Sequence, residues 1–280
     1  MNIAYITEFD INSNQNNWQR HQIGHWGRCY YMAKSLEDEL TTLHYLGPLT
    51  KKPASLPKIK SRLYNKLLKQ TYHSWADPIF NKDYARQIKR KLSNIKADVV
   101  VSPDINFIAY LECDRPLLLW VDTLYTGLIN YYADYMNLCQ ETIHNLIEMD
   151  RLTLSKCTKV IFSSDWMAKK AIETYQVDPS KINIVPFGAN IQCSRTIDDI
   201  NNIIKTKPKA PCKLLFIGVD WVRKGGSIAL EIAKELNEAG LKAELTIVGC
   251  QPIANEPIPN FVNYLGFIDK YKKEGLEKLN

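Results

Sequence analysis

A chain of 280 residues, 45% of them hydrophobic, has the length of about two domains and enough apolar side chains to bury a core in each. No stretch approaches the ~20 apolar residues of a membrane helix, and the longest such tract, "RPLLLWVDTLYTGLI", is interrupted by Asp122. The net charge of +6 is uneven: no acid lies between Glu39 and Asp77, an interval that holds Lys51, Lys52, Lys58, Lys60, Arg62, Lys66 and Lys69.

In chain order, "MNIAYITEFD" lacks a basic region and a cleavage site, so it reads as a first strand over 2–7 and not as a signal peptide. "EFDINSNQNNWQRHQIGHWG" reads as an Asn-rich loop of about 20 residues, a length that marks a functional or mobile loop in a compact domain. A helix over 28–40 follows, with Met32, Ala33, Leu36 and Leu40 at helical spacing. "TTLHYLG" is a second strand. The basic tract comes next and continues through Lys82, Arg86, Lys89, Arg90 and Lys91. Such a tract over 51–91 suits an anionic membrane surface or an acidic ligand; no recognition motif accompanies it to suggest nucleic acid. Leu63, Leu67 and Leu68 could form an apolar stripe with basic flanks, or pack a solvated helix onto the domain.

"ADVVVS", "PLLLWV" and "KVIFSS" are short strands, "NLCQETIHNLIEMDRLTLSKC" and "DWMAKKAIETY" are helices, the latter capped by Ser164, and "KINIVPFG" is a strand. Alternating strands and helices imply parallel βαβ units with both sheet faces covered. Residues 189–211 read as a connection ending in a Pro/Lys segment. Alternation restarts with "KLLFIG", a helix over 227–239, "AELTIVG" and "FVNYLGFI". The expected organisation is therefore a first domain over 1–190, a linker over 191–211 and part of a second domain over 212–280. Seven cysteines, an odd number with no C-x-x-C pair, suit reduced thiols in a cytosol.

The segment "KLLFIGVDWVRKGGSIALEIAKEL" carries the most chemistry. It is neither a P-loop nor G-x-G-x-x-G. Yet Gly218 ends a parallel strand at the carboxyl edge, where open α/β sheets bind ligands. Gly225 and Gly226 let backbone approach a ligand, and the helix from Ser227 offers free N–H groups to an anion. Arg223 and Lys224 add positive charge. The alternative is an ordinary strand-to-helix turn with surface basics. Ile228, Ile232 and Leu236 are expected to face the sheet.

"FIGVDWVRKGG" resembles the G-x-x-x-x-x-K-G element of retaining glycosyltransferases of family 4, bacterial type. "INIVPFGANI", "VIFSSDWMAKKAIETYQVDPSKINIVPFGAN", "LTIVGCQP" and "FVNYLGFI" are similar to its neighbouring elements. The resemblance implies a GT-B architecture: two Rossmann-like doubly wound domains with the active site between them, the second incomplete here. It implies a nucleotide-sugar donor on the second domain, a saccharide or lipid-linked acceptor on the first, transfer with retention, and no metal or other cofactor. By position, Lys224 would contact the donor diphosphate, with Arg223 replacing an arginine the family often has where Val219 stands. Gly249, Phe267 and Ile268 would line the nucleotide pocket, and Gly27, in a glycine loop after the first strand, would approach the phosphates. Where many members carry a histidine, this chain has "LLLWVDTLY". Asp122 or Thr123 sits near that place; Asp122 is the catalytic candidate, accepting hydrogen bonds from sugar hydroxyls, or else it caps the next segment. The family's E-x7-E element would lie beyond residue 280, so the chain is expected to be a poorly active fragment.

Other candidates are weaker. His21 and His25, four apart, could place two metal ligands on one helix face, but Gly24 and Gly27 argue against a helix there. With Trp18, Arg20 and Trp26 they could instead line an acceptor cleft. Trp120, Tyr125, Tyr131, Tyr132 and Tyr135 could stack on sugars or form core, and Asp165 and Trp166, at a helix start, could be cleft residues or cap and core. A sugar-nucleotide epimerase of the same fold and a non-catalytic binding protein remain as alternatives. The expected location is cytoplasmic, either free or peripheral at the inner face of the membrane.

Overall fold

The computed structural model describes residues 1–208, 210–253 and 257–280, with Arg20 and His21 through their backbone only. It divides into two compact units, Met1–Asn190 and Ile191–Asn280. Unit 1 runs β1 (Asn2–Tyr5), α1 (Arg20–Ser35), β2 (Thr42–Tyr45), α2 (Ser55–Arg62, continued as a π-helix over Leu63–Leu68), α3 (Pro78–Leu92), β3 (Val99–Ser102), β4 (Leu117–Val121), α4 (Gln140–Lys156), β5 (Lys159–Phe162), α5 (Asp165–Tyr175) and β6 (Ile182–Ile184). Its six strands form one parallel sheet in the order β2-β1-β3-β4-β5-β6. The strands are short and rich in Val, Ile and Leu, as buried parallel strands are. Their core residues Val100, Leu119, Val160 and Phe162 pack with Ile88 of α3, Leu146 and Met149 of α4 and Met167 of α5. The winding reverses between β1 and β3, so the ligand crevice of such a sheet lies off the carboxyl ends of these two strands.

Unit 2 contains α6 (Ile197–Thr206), β7 (Cys212–Gly218), α7 (Gly226–Glu238), β8 (Ala243–Gly249), β9 (Val262–Gly266) and α8 (Lys273–Leu279). Three parallel strands pair in the order β7-β8-β9. The fold class is α/β, with an open, parallel, Rossmann-like sheet in each unit. No helix among the described residues is long and apolar enough to cross a membrane.

Several elements differ from the sequence reading. The first helix spans 20–35, not 28–40. It begins inside the supposed loop because the Gln22 side chain accepts from the Gln19 backbone N–H at 2.8 Å. Phe9 stacks on Trp26 at 4.5 Å, with Trp18 edge-on to both, which fixes the approach to the helix. Packing and capping thus outweigh the low propensity of Gly24 and Gly27. Leu40 lies outside the helix and is exposed. The connection 191–211 contains α6, capped by Thr196 and Asp199. Helix α7 turns Leu230 and Ala233, with Gly226, inward, while Ile228 and Ile232 are exposed. Trp221, buried beneath the first turn, sets this rotation: a Cβ on Gly226 would lie 2.3 Å from its ring. Trp166 is exposed with Lys170 over its ring, and Ser164 caps α5 as expected.

Candidate functional site

In unit 1 a cleft of about 280 Å³ opens at the carboxyl edge. Glu8 reaches it from the segment after β1, Asp104 from the segment after β3 and Asp122 from the residue following β4, while α1 supplies His25 and Arg28. Sheet order and the packing of α1 bring these groups together, since Arg28 and Asp122 are 94 positions apart in sequence. Arg28 is the hub. Its Nη1 donates to Asp122 Oδ1 at 3.3 Å, its Nη2 donates to the Pro103 carbonyl at 3.4 Å and lies 3.8 Å from Asp104, and its guanidinium sits 5.6 Å from the centre of the Phe187 ring. The Arg28 side chain is 13% exposed and that of Asp122 59%, so the arginine holds the inner end of an aspartate that faces solvent. Asp104 is fixed by Ser102, whose Oγ accepts from the Asp104 N–H and donates to its carbonyl.

His25 Nε2 lies 3.3 Å from Asp104 and 3.8 Å from Glu8. Burial works against charge on the ring, but the Asp104 carboxylate and the neighbouring Cys29 outweigh it and push the pKa up to about 11. The 3.2 Å approach of Arg28 Nη2 to Nδ1 would instead suit a neutral ring with a lone pair there. Three carboxylates face this pair, and Nη2 has the Pro103 carbonyl and Asp104 as other acceptors, so the charged imidazolium prevails at neutral pH. Two cations among three carboxylates leave a polar site of net charge −1. One wall is aromatic, with Trp75 and Tyr125 ring centres 5.3 Å apart beside Tyr135. Carboxylates and a ring face together suit the hydroxyls and C–H faces of a sugar.

His25, Cys29 and Asp104 place donor atoms within 4.8 Å of one another. A cation there would require His25 to lose its proton and Arg28 to swing away, because both put positive charge at the same place. The side chain of His21, the other half of the histidine pair, lies outside the described residues, as does that of Arg20.

Behind the cleft, Asp150 of α4 is completely buried. It accepts from the Tyr125 and Thr126 amides at 3.0 and 2.9 Å, from Thr126 Oγ1 at 2.7 Å and from Tyr175 Oη at 3.1 Å. It therefore anchors the loop that begins at Asp122.

In unit 2 the predicted residues gather at the carboxyl edge of the sheet. Gly218 and Gly249 end β7 and β8 in register. A Cβ on Gly249, whose φ is +112°, would lie 2.1 Å from the Gly218 carbonyl oxygen, and one on Gly218 would press on the Lys224 stem at 3.1 Å. Lys224 thus lies across the end of β7. Asp220 closes the turn, its Oδ1 accepting from the Arg223 N–H at 3.0 Å and its carboxylate 3.7 Å from Arg223 Nε. Gly225 caps α7 with φ +75°, a left-handed conformation that suits glycine. Gly226 serves the packing of Trp221 and not close approach to a ligand, which corrects one reason given for the paired glycines. Phe267 and Ile268 follow β9 and line a shallow hollow of about 320 Å³ with Asp269 and Lys272.

Gly27 does not lie in a loop: it is buried in the second turn of α1, where its neighbour Arg28 reaches the cleft. Of the aromatics, Tyr125 and Tyr135 line the cleft and Tyr131 is exposed outside its lining. Glu8, Arg28, Trp75 and Asp104 were missed. Glu8 and Asp104 are marked by position alone, just after strand ends, and Arg28 by its place on the first helix; Trp75, in the short turn before α3, carries no such mark.

No protein-family model matches the sequence, and neither does any curated protein. Solved structures with a similar course include the apo form of the lipopolysaccharide outer core galactosyltransferase WaaB (11% identity, 100% of this chain and 70% of that one, TM-score 0.49). They also include HepE from Anabaena in complex with UDP (12%, 95% and 69%, 0.49) and a glycosyltransferase from Rickettsia africae (14%, 96% and 69%, 0.44). At these scores the matches carry no weight for this chain, whose fold and chemistry rest on its own geometry.

Proposed function

We propose that this chain is a glycosyltransferase that moves a sugar, with retention, from a nucleotide-sugar donor to a hydroxyl acceptor. The observation that carries the reading is the end of β7: two glycines in register, a lysine laid across the strand end, an arginine beside it and a helix N-terminus above. Such an edge supports the binding of a diphosphate. In this reading Arg223 and Lys224, with the positive end of the α7 dipole, stabilise the diphosphate as it leaves, supplying the positive charge with no resident cofactor. Gly218, Gly225 and Gly249 keep the edge open, and Phe267 and Ile268 flank the nucleotide. Unit 1 takes the acceptor: Asp122, held by Arg28, accepts a hydrogen bond from its hydroxyl, and Trp75 and Tyr125 face its ring.

Asp122→Ala is expected to lower transfer about 100-fold while leaving donor affinity unchanged. The check is radiolabelled transfer from UDP-, GDP- and ADP-sugars, with donor affinity measured in parallel; wild-type turnover would return Asp122 to a structural role. A second reading, a sugar-nucleotide epimerase, is favoured by one observation, the His25–Asp104–Glu8 cluster of titratable groups. It predicts an altered sugar and free nucleotide with no acceptor present.

A further inference from the structure

Helix 55–68 is seated on unit 1 by polar groups. Its inner face is Pro57, Lys60, Ser61 and Tyr64. Lys60 Nζ lies 3.1 Å from Asp77 Oδ2 and also pairs with Glu141, Tyr64 stacks on Tyr72 at 5.5 Å, and Asn65 Oδ1 accepts from the Tyr72 N–H at 2.9 Å. The apolar side chains point the other way. Leu56 is 48% exposed, Ile59 59%, Leu63 43%, Leu67 74% and Leu68 53%. Positions 56, 59, 63 and 67 recur at helical spacing and form one continuous face. The leucines therefore do not pack the helix onto the domain, one of the two possibilities left open by the sequence. Beside them lie Lys58, Arg62, Lys66 and Lys69, all exposed and without an acidic partner among the described residues. A cavity of about 480 Å³ next to the helix is lined by Lys51, Lys52, Lys58 and Arg62, with Pro57 and Phe80 as its apolar wall.

We infer that this helix is a membrane-surface anchor that lies on an anionic lipid bilayer. Exposed leucines over one face with basic side chains along its border match a bilayer interface, with acyl chains below and phosphates at their level. A soluble polyanion would use the lysines and leave the leucines in water. The inference does not rest on the sugar-transfer reading, and its test needs no donor.

The test is flotation of the 280-residue chain with vesicles of phosphatidylcholine alone or doped with phosphatidylglycerol. The anionic vesicles are expected to carry the protein, and added salt to release it. Leu63→Gln with Leu67→Gln should lower partitioning by about tenfold or more, and Lys58→Gln with Arg62→Gln by about thirtyfold. All four side chains are exposed, so circular dichroism and thermal midpoint should match the wild type. Four outcomes would overturn the anchor: no flotation, equal flotation with neutral lipid, wild-type flotation of the leucine variant, or a dimer in sedimentation velocity that the leucine variant abolishes while no lipid binds.

Discussion

Asp150→Ala is expected to lower the stability of unit 1 by about 4 kcal/mol, because it strips the acceptor from four hydrogen bonds at once. The Tyr125 amide and the carboxylate are buried, so truncation leaves a buried donor without its acceptor. Burial pushes the Asp150 pKa up to about 6, against the pull of the Thr126, Tyr125 and Tyr175 donors, so the carboxylate is ionised at neutral pH. A folded-state pKa above the unfolded value of about 3.9 means that the residue contributes most below that pH. Its contribution falls as pH rises through about 6. The alanine deficit should therefore be larger at pH 4 than at pH 7. Urea denaturation at both pH values checks this; a loss under about 1 kcal/mol at pH 7 would show that the loop after β4 is held by other contacts.

Gly249→Ala is expected to cost about 3–5 kcal/mol in unit 2. The new methyl would sit inside van der Waals contact of the Gly218 carbonyl, and that oxygen already accepts from the Cys250 N–H at 2.7 Å. No side chain can move aside, because the obstacle is backbone, and a φ of +112° strains any L-residue. Hydrogen exchange of the β7 and β8 amides should speed up by at least about 100-fold, with β3 and β4 unaffected. Equal exchange in variant and wild type would mean that the two strand ends separate freely.

The strands were largely legible. "VVVS", "LLLWV" and "KVIF" are short β-branched or aliphatic runs, and buried parallel strands admit little else. The start of α1 was not, because Gly24 and Gly27 suggested a loop and the signals that win, a glutamine cap and the Phe9–Trp18–Trp26 packing, depend on tertiary contact. Helix α7 was correctly placed but rotated, since its orientation is set by Trp221, a residue outside the helix. The unit 2 glycines and Arg223–Lys224 form a local cluster visible in one segment. The unit 1 cleft is not local: Glu8, Arg28, Asp104 and Asp122 converge only through sheet order, and a lone charge after a strand carries no mark of its partners. Lys60 inverts the expected pattern, with a charged side chain inward and leucines outward, because Asp77 and Glu141 wait for it on the domain.

In the proposed function, the edge of β7 and β8 holds the diphosphate of a nucleotide-sugar. Isothermal titration of the chain with UDP-, GDP- and ADP-sugars tests it most directly, compared with the Arg223→Ala, Lys224→Ala double variant. At least one donor should bind the wild type, and the double substitution should weaken it by about 100-fold, the loss of two charge-assisted contacts. Equal affinity of variant and wild type for that donor would contradict the assignment.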